Sequence, residues 1–254
     1  MDPVVSTIES QCKRCYSCIQ KCPAKAIKVV NGQAIVVPER CIACGYCVRV
    51  CPQHAKKVRD GVDHTIQLLH DNKQTVAILA PSFPAACDNA QPGQIVTALK
   101  EIGFCKVCEV AYGADLVGEE YNRLFAEEVM PITISSPCPA ITSFIVKHRP
   151  ELTLCLAPVV SPMVAMGRVV KRLYGEDIQV VFIGPCIAKK KEMDDPQVGG
   201  IINEVLTFDE MKSLFQRMQI DPLGLPISKM DGPQPELGQV FPISGGLLKV
   251  ASLA

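Results

Sequence analysis

Cys12, Cys15, Cys18 and Cys22 stand in CKRCYSCIQKCP, and Cys41, Cys44, Cys47 and Cys51 stand in CIACGYCVRVCP. Both runs read C-x2-C-x2-C-x3-C-P. Three thiolates at that spacing can wrap one face of an iron-sulfur cube, while the fourth, carried away by its proline, reaches a neighbouring cube. The spacing therefore predicts crossed ligation of two 4Fe-4S clusters, one on Cys12, Cys15, Cys18 and Cys51 and the other on Cys41, Cys44, Cys47 and Cys22. Zinc or a disulfide framework explains the pattern less well. Zinc is usually satisfied by two C-x2-C pairs, which leaves the third cysteine and the Cys-Pro of each run unused.

Two such loops need a scaffold that holds them as a pair. Between the runs, AIKVV and AIVVP flank Asn31-Gly32, a dipeptide that tolerates the positive φ of a tight hairpin turn. Residues from about 8 to 60 resemble a bacterial dicluster ferredoxin, which implies an α+β ferredoxin head over 1–59.

With 254 residues the chain can bury a substantial core, and the contrast between a cysteine-rich head and an aliphatic remainder predicts two domains. Lys plus Arg equal Asp plus Glu at 26 each, so composition gives no argument for nucleic acid or an anionic membrane, and no basic face stands out. Met1 to Ser10 holds two acids and no apolar run, unlike a secretory signal. Fourteen cysteines without an export signal suit metal ligation in a reducing compartment, here read as the cytoplasm. The apolar stretch Leu152 to Val170 is interrupted by Pro158 and Pro162 and carries Arg168, which predicts buried core rather than a membrane span.

Beyond the head, Val62, Ile66 and Leu69 recur at helical spacing and predict a connector helix within 60–74. TVAILAP reads as a buried strand, and 92–102 as a helix with proline in its first turn and Gly103 at its end. FCKVCEVA, PITISS, QVVFIG and IINEVL read as further strands. DLVGEEYNRLFAEEV, the stretch after Pro139 and Pro162 to Tyr174 read as helices, and Thr207 opens another with Glu210 completing a capping box. The alternation predicts an α/β domain over 75–254 with a largely parallel sheet and with sites where loops leave the carboxyl ends of strands. Two of those loops carry cysteine beside proline: PITISSPCPAI with Cys138 and VVFIGPCIAKKKE with Cys186. They could meet above the sheet as one site, or pack separately as small buried hydrophobes.

On these residues the chain resembles the FeFe hydrogenases. SSPCPAI is similar to that family's first cluster loop and GPCIAKKKE to its second, while VAYGADLVGEE, SPMVAMG and ISGGLLKVASLA match other family segments in order, from about residue 75 onward. The resemblance implies that Cys138 and Cys186 ligate the cubane half of an H-cluster, that Lys189 donates a hydrogen bond to a cyanide on the diiron half, and that Pro185 lines the pocket. An ammonium with three donors suits such an anionic ligand. Residues 189–192 also fit a solvated helix start, and Lys190 and Lys191 are read that way.

The departures from the family pattern also carry expectations. The family's third loop, with two further cysteines, has no counterpart before Ala254, so the domain is expected to lack its C-terminal cluster loop and to offer two H-cluster thiolates rather than four. Pro137 stands where proton-reducing members carry a relay cysteine, and proline has no ionisable group. Glu119 and Glu120 keep acidic character, but Arg123 falls near a family glutamate, and Met163 stands where many members have glutamine. The resemblance implies an iron-sulfur electron-transfer protein of the FeFe hydrogenase type. It would pass electrons through two clusters to or from an H-cluster site in reversible H2 oxidation and proton reduction, with ferredoxin or another electron-transfer subunit as partner. The alternative is a non-catalytic redox-sensing or electron-transfer module on the same scaffold.

Cys105 and Cys108 fall on opposite faces of a strand, so joint metal binding is not expected. Cys87 and Cys155 lie outside any cluster spacing and read as structural, although Cys87 follows PSFPAA near a family loop that borders the H-cluster. His54, His64, His70 and His148 lack a second ligand at helix or loop spacing, and no phosphate-binding glycine loop is present.

Overall fold

The computed structural model describes residues 3–71, 74–127 and 132–253. In chain order the elements are β1 (Val5–Thr7), α1 (Ser17–Lys21), β2 (Ile27–Val30), β3 (Gln33–Val36), α2 (Tyr46–Arg49), β4 (Lys56–Val58), α3 (Val62–His70), β5 (Thr75–Leu79), α4 (Pro92–Glu101) and β6 (Lys106–Glu109). They continue as α5 (Val110–Ala126), α6 (Pro139–His148), α7 (Pro162–Tyr174), β7 (Gln179–Ile183), α8 (Ala188–Met193), β8 (Glu204–Leu206), α9 (Phe208–Arg217) and α10 (Gly246–Val250). They form two compact units. One gathers Met1–Arg59, Thr133–Ala157 and Cys186–Asp194, and the other Asp60–Ile132, Pro158–Pro185 and Asp195–Ala254.

The first unit is built on two short antiparallel pairs, β1 with β4 and β2 with β3. Asn31 and Gly32, at φ 48° and 79°, close the β2–β3 hairpin as the dipeptide predicts. Its core mixes small apolar residues such as Ala24, Ala26, Ala34 and Ala43 with Cys18, Cys22 and Ile42, and Ala188 of α8 joins them, fully buried.

The second unit carries a four-stranded parallel sheet in the order β6-β5-β7-β8. Every residue of β5 and β7 is buried, as their unbroken apolar runs require of central parallel strands. Leu79, Leu99, Phe104, Val107, Ile183, Leu206 and Leu214 pack one core across the sheet and α4 and α9. Thr207 and Glu210 form the capping box, with Thr207 Oγ1 accepting from the Glu210 N–H and Glu210 Oε2 accepting from the Thr207 N–H at 2.7 Å.

Three expected strands differ. β6 stops at Glu109, where its register with residues 76–79 of β5 ends, and the chain enters α5 at Val110. Only the last three residues of IINEVL are strand. PITISS makes a single bridge, Ile134 to Leu156, inside the first unit; Pro137 and Pro139 follow at once and offer no N–H to a ladder. Pro131, and Glu128 and Val129 of the predicted α5 tail, lie outside the described residues.

Gly238 marks the closest packing in the second unit. A Cβ there would stand 1.8 Å from the carbonyl oxygen of Ala111 in α5, a backbone atom that cannot step aside. Gly238→Ala is expected to cost about 3 kcal/mol of stability, at the upper end of overpacking effects. A lower denaturant midpoint at unchanged slope would report it.

Candidate functional site

The two cysteine runs share a backbone device. Arg14 and Tyr16 in the first run and Ala43 and Gly45 in the second have positive φ at matched positions, as do Lys25 and His54 three residues after Cys22 and Cys51. Five of these six are not glycine, and the left-handed region costs such residues energy that the surrounding structure must supply. The return is that each loop curls its N–H groups inward toward sulfur. Ala26 N–H donates to Cys22 Sγ at 3.3 Å, Ala55 N–H to Cys51 Sγ at 3.3 Å, and Ala43 N–H to Cys41 Sγ at 3.4 Å.

Cys12, Cys15, Cys18 and Cys51 line one cavity, together with Tyr16, Ala34, Ala55 and Lys56. Burial pushes the Cys18 thiol up, and the neighbours that add to this are Cys51 and Cys12. Cys41 and Cys47 are each in the field of Cys44 and Cys22, and burial pushes Cys47 up to about 12. Cys15, at the surface, is held below the ordinary thiol value by hydrogen bonds from Ser17. Cys51 thus stands beside the first three cysteines of the other run, and Cys22 is near enough to Cys41 and Cys47 for its charge to act on both, neighbourhoods compatible with the crossed sets. All fourteen cysteines are free. Among the described residues no three Cys, His, Asp or Glu side chains converge as they would on one metal ion. A cubane asks for something else, one thiolate for each corner iron, and this donor set fits it.

Cys138 and Cys186 belong to the same unit as the runs. Cys138 is the N-terminal cap of α6 and is exposed; Cys186 is partly buried against the core of the first unit, next to Ile187 and Ala188. A Cβ on Gly45 would stand 3.1 Å from Ile187 Cδ1, and Ala140 and Phe144, one turn apart on α6, pack on the same core. Lys189 ties the two loops together: its Nζ donates to Pro137 O at 3.3 Å and to Glu192 Oε2 at 2.7 Å. Cys138 therefore does not follow a sheet strand, contrary to the expectation from PITISS. Pro185 is exposed and is the last residue of the second unit before the chain returns to the first.

The lysines after Cys186 are not a solvated helix start. Lys190 is fully buried, Arg59 donates to its carbonyl at 3.1 Å, and Arg59 also pairs with Asp194 at 2.8 Å. Lys191 Nζ donates to Cys41 O at 2.9 Å, an oxygen that also accepts from Lys147 Nζ at 3.0 Å. α8 is too short and too well covered by its own unit to present a wet face.

Charge is also less even than the chain total suggests. Residues 1–59 hold ten Lys and Arg against three Asp and Glu. Lys13 and Arg14 are exposed beside exposed Cys15, and Lys21, Lys25, Lys28, Arg40, Arg49 and Lys57 are exposed as well. The basic head was masked by averaging it with an acidic remainder.

Residues 73–253 match the iron-only hydrogenase large subunit, C-terminal domain. The chain belongs to that family. Residues 5–52 match a 4Fe-4S dicluster domain, which makes this a hydrogenase-related iron-sulfur protein with a ferredoxin-type head. Within the iron-only hydrogenases it is similar to the NADP-reducing hydrogenase subunit HndD of Solidesulfovibrio fructosivorans, 28% identical over 200 residues, which cover 69% of this chain and 34% of that protein. It is also similar to Iron hydrogenase 1 of Clostridium pasteurianum, 29% identical over 205 residues, covering 70% of this chain and 36% of that one. The match thus spans about a third of the length of these curated relatives. Two solved variants of the FeFe-hydrogenase HydA1 from Chlamydomonas reinhardtii, the second in apo form, share the fold at TM-scores of 0.61 and 0.63 and 21% and 23% identity. They cover 68% and 76% of this chain and 51% and 57% of their own.

The remaining candidates are placed elsewhere. Cys87 is buried with its Sγ 3.4 Å from Phe83 O, and Cys108 is buried while Cys105 is exposed. His64 faces Glu204 at 2.9 Å and His148 faces Arg40 O at 2.9 Å. Arg123 pairs with Glu120 and Glu127 on the outside of α5, and its guanidinium holds the Glu120 carboxyl below the usual range. Among the described residues no helix is long and apolar enough to cross a membrane.

Proposed function

We propose that this chain is an electron-transfer protein of the FeFe hydrogenase type, with two 4Fe-4S clusters on the crossed cysteine sets serving a hydrogenase-type H-cluster site on Cys138 and Cys186. The reaction served is reversible H2 oxidation and proton reduction, in the reducing cytoplasm that free thiols require. The observation that carries the reading is the Lys189 bridge, which draws the Cys138 and Cys186 loops together within the unit that holds both runs. When bound, such clusters supply one-electron chemistry at low potential. The chain's own part is to shelter and orient. Lys189 spends two of its three donors on Pro137 and Glu192 and keeps one for a ligand, while Glu192 balances its charge.

Pro137 favours a slower, sensory or purely electron-transferring role over rapid turnover. It offers only a carbonyl where the family pattern has a proton relay, and Lys189 already occupies that carbonyl.

The basic head supports one kind of partner, a small acidic electron carrier docking over Lys13, Arg14 and Cys15. Reduction of the anaerobically reconstituted protein by such a carrier should be fastest at low ionic strength and slow as salt rises. Lys13→Glu with Arg14→Glu should cut the low-salt rate by about tenfold or more, an effect that fades at high salt. Rates indifferent to salt and to both substitutions would show that electrons enter elsewhere.

A further inference from the structure

Lys56 lies on β4, directly opposite Thr7 of β1, and is 5% exposed. Its Nζ donates to Thr7 Oγ1 at 2.5 Å and to Ala34 O at 2.5 Å, both of them neutral oxygens. Among the described residues no carboxylate pairs with it. A buried ammonium with only neutral acceptors is costly, and such a group is normally retained against a counter-charge. The protein places no acid there. What it places there is thiols: Lys56 lines the cavity of Cys12, Cys15, Cys18 and Cys51, and its strand β4 packs against α2, the helix that carries Cys47 of the other set. A cube held by four thiolates is anionic, and it gains one more negative charge on reduction.

We propose that Lys56 is the shared counter-charge of both clusters, a positioning residue whose buried ammonium holds the two reduced states within reach of one carrier. The inference rests on the reading that both runs hold 4Fe-4S clusters, which iron and acid-labile sulfide analysis tests separately. A one-electron reduction adds a negative charge near Nζ, so a fixed positive charge there favours the reduced form of each cluster, and burial spares it the screening felt at the surface. Exposed Lys57, its neighbour on β4, lacks that shelter.

The test is an EPR-monitored titration with dithionite on reconstituted wild type, Lys56→Gln, Lys56→Arg and Lys57→Gln. In Lys56→Gln both midpoints should move to more negative potential, so that at a fixed solution potential the reduced-to-oxidised ratio of each cluster drops by roughly tenfold or more. Lys56→Arg and Lys57→Gln should stay near wild type. Loss of clusters in Lys56→Gln with retention in Lys56→Arg would also support the charge. Unmoved potentials in Lys56→Gln, movement of one cluster alone, or cluster loss in both Gln and Arg variants would overturn the proposal and leave Lys56 a packing residue. Wild type without iron and sulfide for two clusters would overturn the underlying reading instead.

Discussion

Cys22→Ala is expected to strip the reconstituted protein of one of its two clusters, taking iron from about eight atoms to about four, and the cluster lost is the one nested in the second run. The reason is geometric. Cys22 stands directly before Pro23, its Sγ accepts an N–H from Ala26, and its charge acts on Cys41 and Cys47 of the second run. Cys51→Ala should do the reverse, because Cys51 shares the cavity of Cys12, Cys15 and Cys18. In wild type the reduced cubes should show magnetic coupling by EPR and potentials on the order of −400 mV; in either variant the coupling should vanish. A Cys22→Ala protein that keeps the second-run cluster and loses the first would falsify crossed ligation.

The head was legible because its chemistry is written in spacing. Eight cysteines, two prolines and one Asn-Gly leave few ways to fold, and the hairpin lies at 27–36 as expected. The parallel sheet was legible for a similar reason, since the apolar runs of β5 and β7 have one comfortable environment. Boundaries were harder. The strand reading of PITISS came from its place in the strand–helix alternation, and the prolines at 137 and 139 outweighed it. Least legible was which unit each loop would join. Residues 133–157 and 186–194 read locally as parts of the alternating domain, yet they cluster with the head through Ala140, Phe144, Ile187 and Ala188. That docking depends on long-range complements such as the missing side chain of Gly45 against Ile187, which no local pattern announces. The burial of Lys190 and Lys56 was hidden for the same reason: a lysine in a run of lysines signals solvent until its cover is known.

The second large effect concerns Pro137. Cys138 and Cys186 are the two thiols that the matched loops bring to this place, and a cubane asks for four. The 254-residue polypeptide, supplied with a synthetic diiron precursor, is therefore expected to give no carbonyl or cyanide infrared bands and no appreciable H2. Joined to a segment bearing two further cysteines of the family's third loop, it should acquire those bands, and Cys186→Ala and Lys189→Ala should each disturb them. In that assembled form Pro137→Cys should raise turnover by about 10²- to 10⁴-fold, the usual contribution of a positioned proton relay. The substitution also returns an N–H that proline lacks while leaving the carbonyl that accepts from Lys189, so the anchor of the two loops survives it. Infrared bands from the 254-residue chain alone, abolished by Cys186→Ala, would mean that Cys186 holds the cluster together with ligands other than those of the third loop. Unchanged turnover in Pro137→Cys would mean that protons arrive by a path that does not pass this residue.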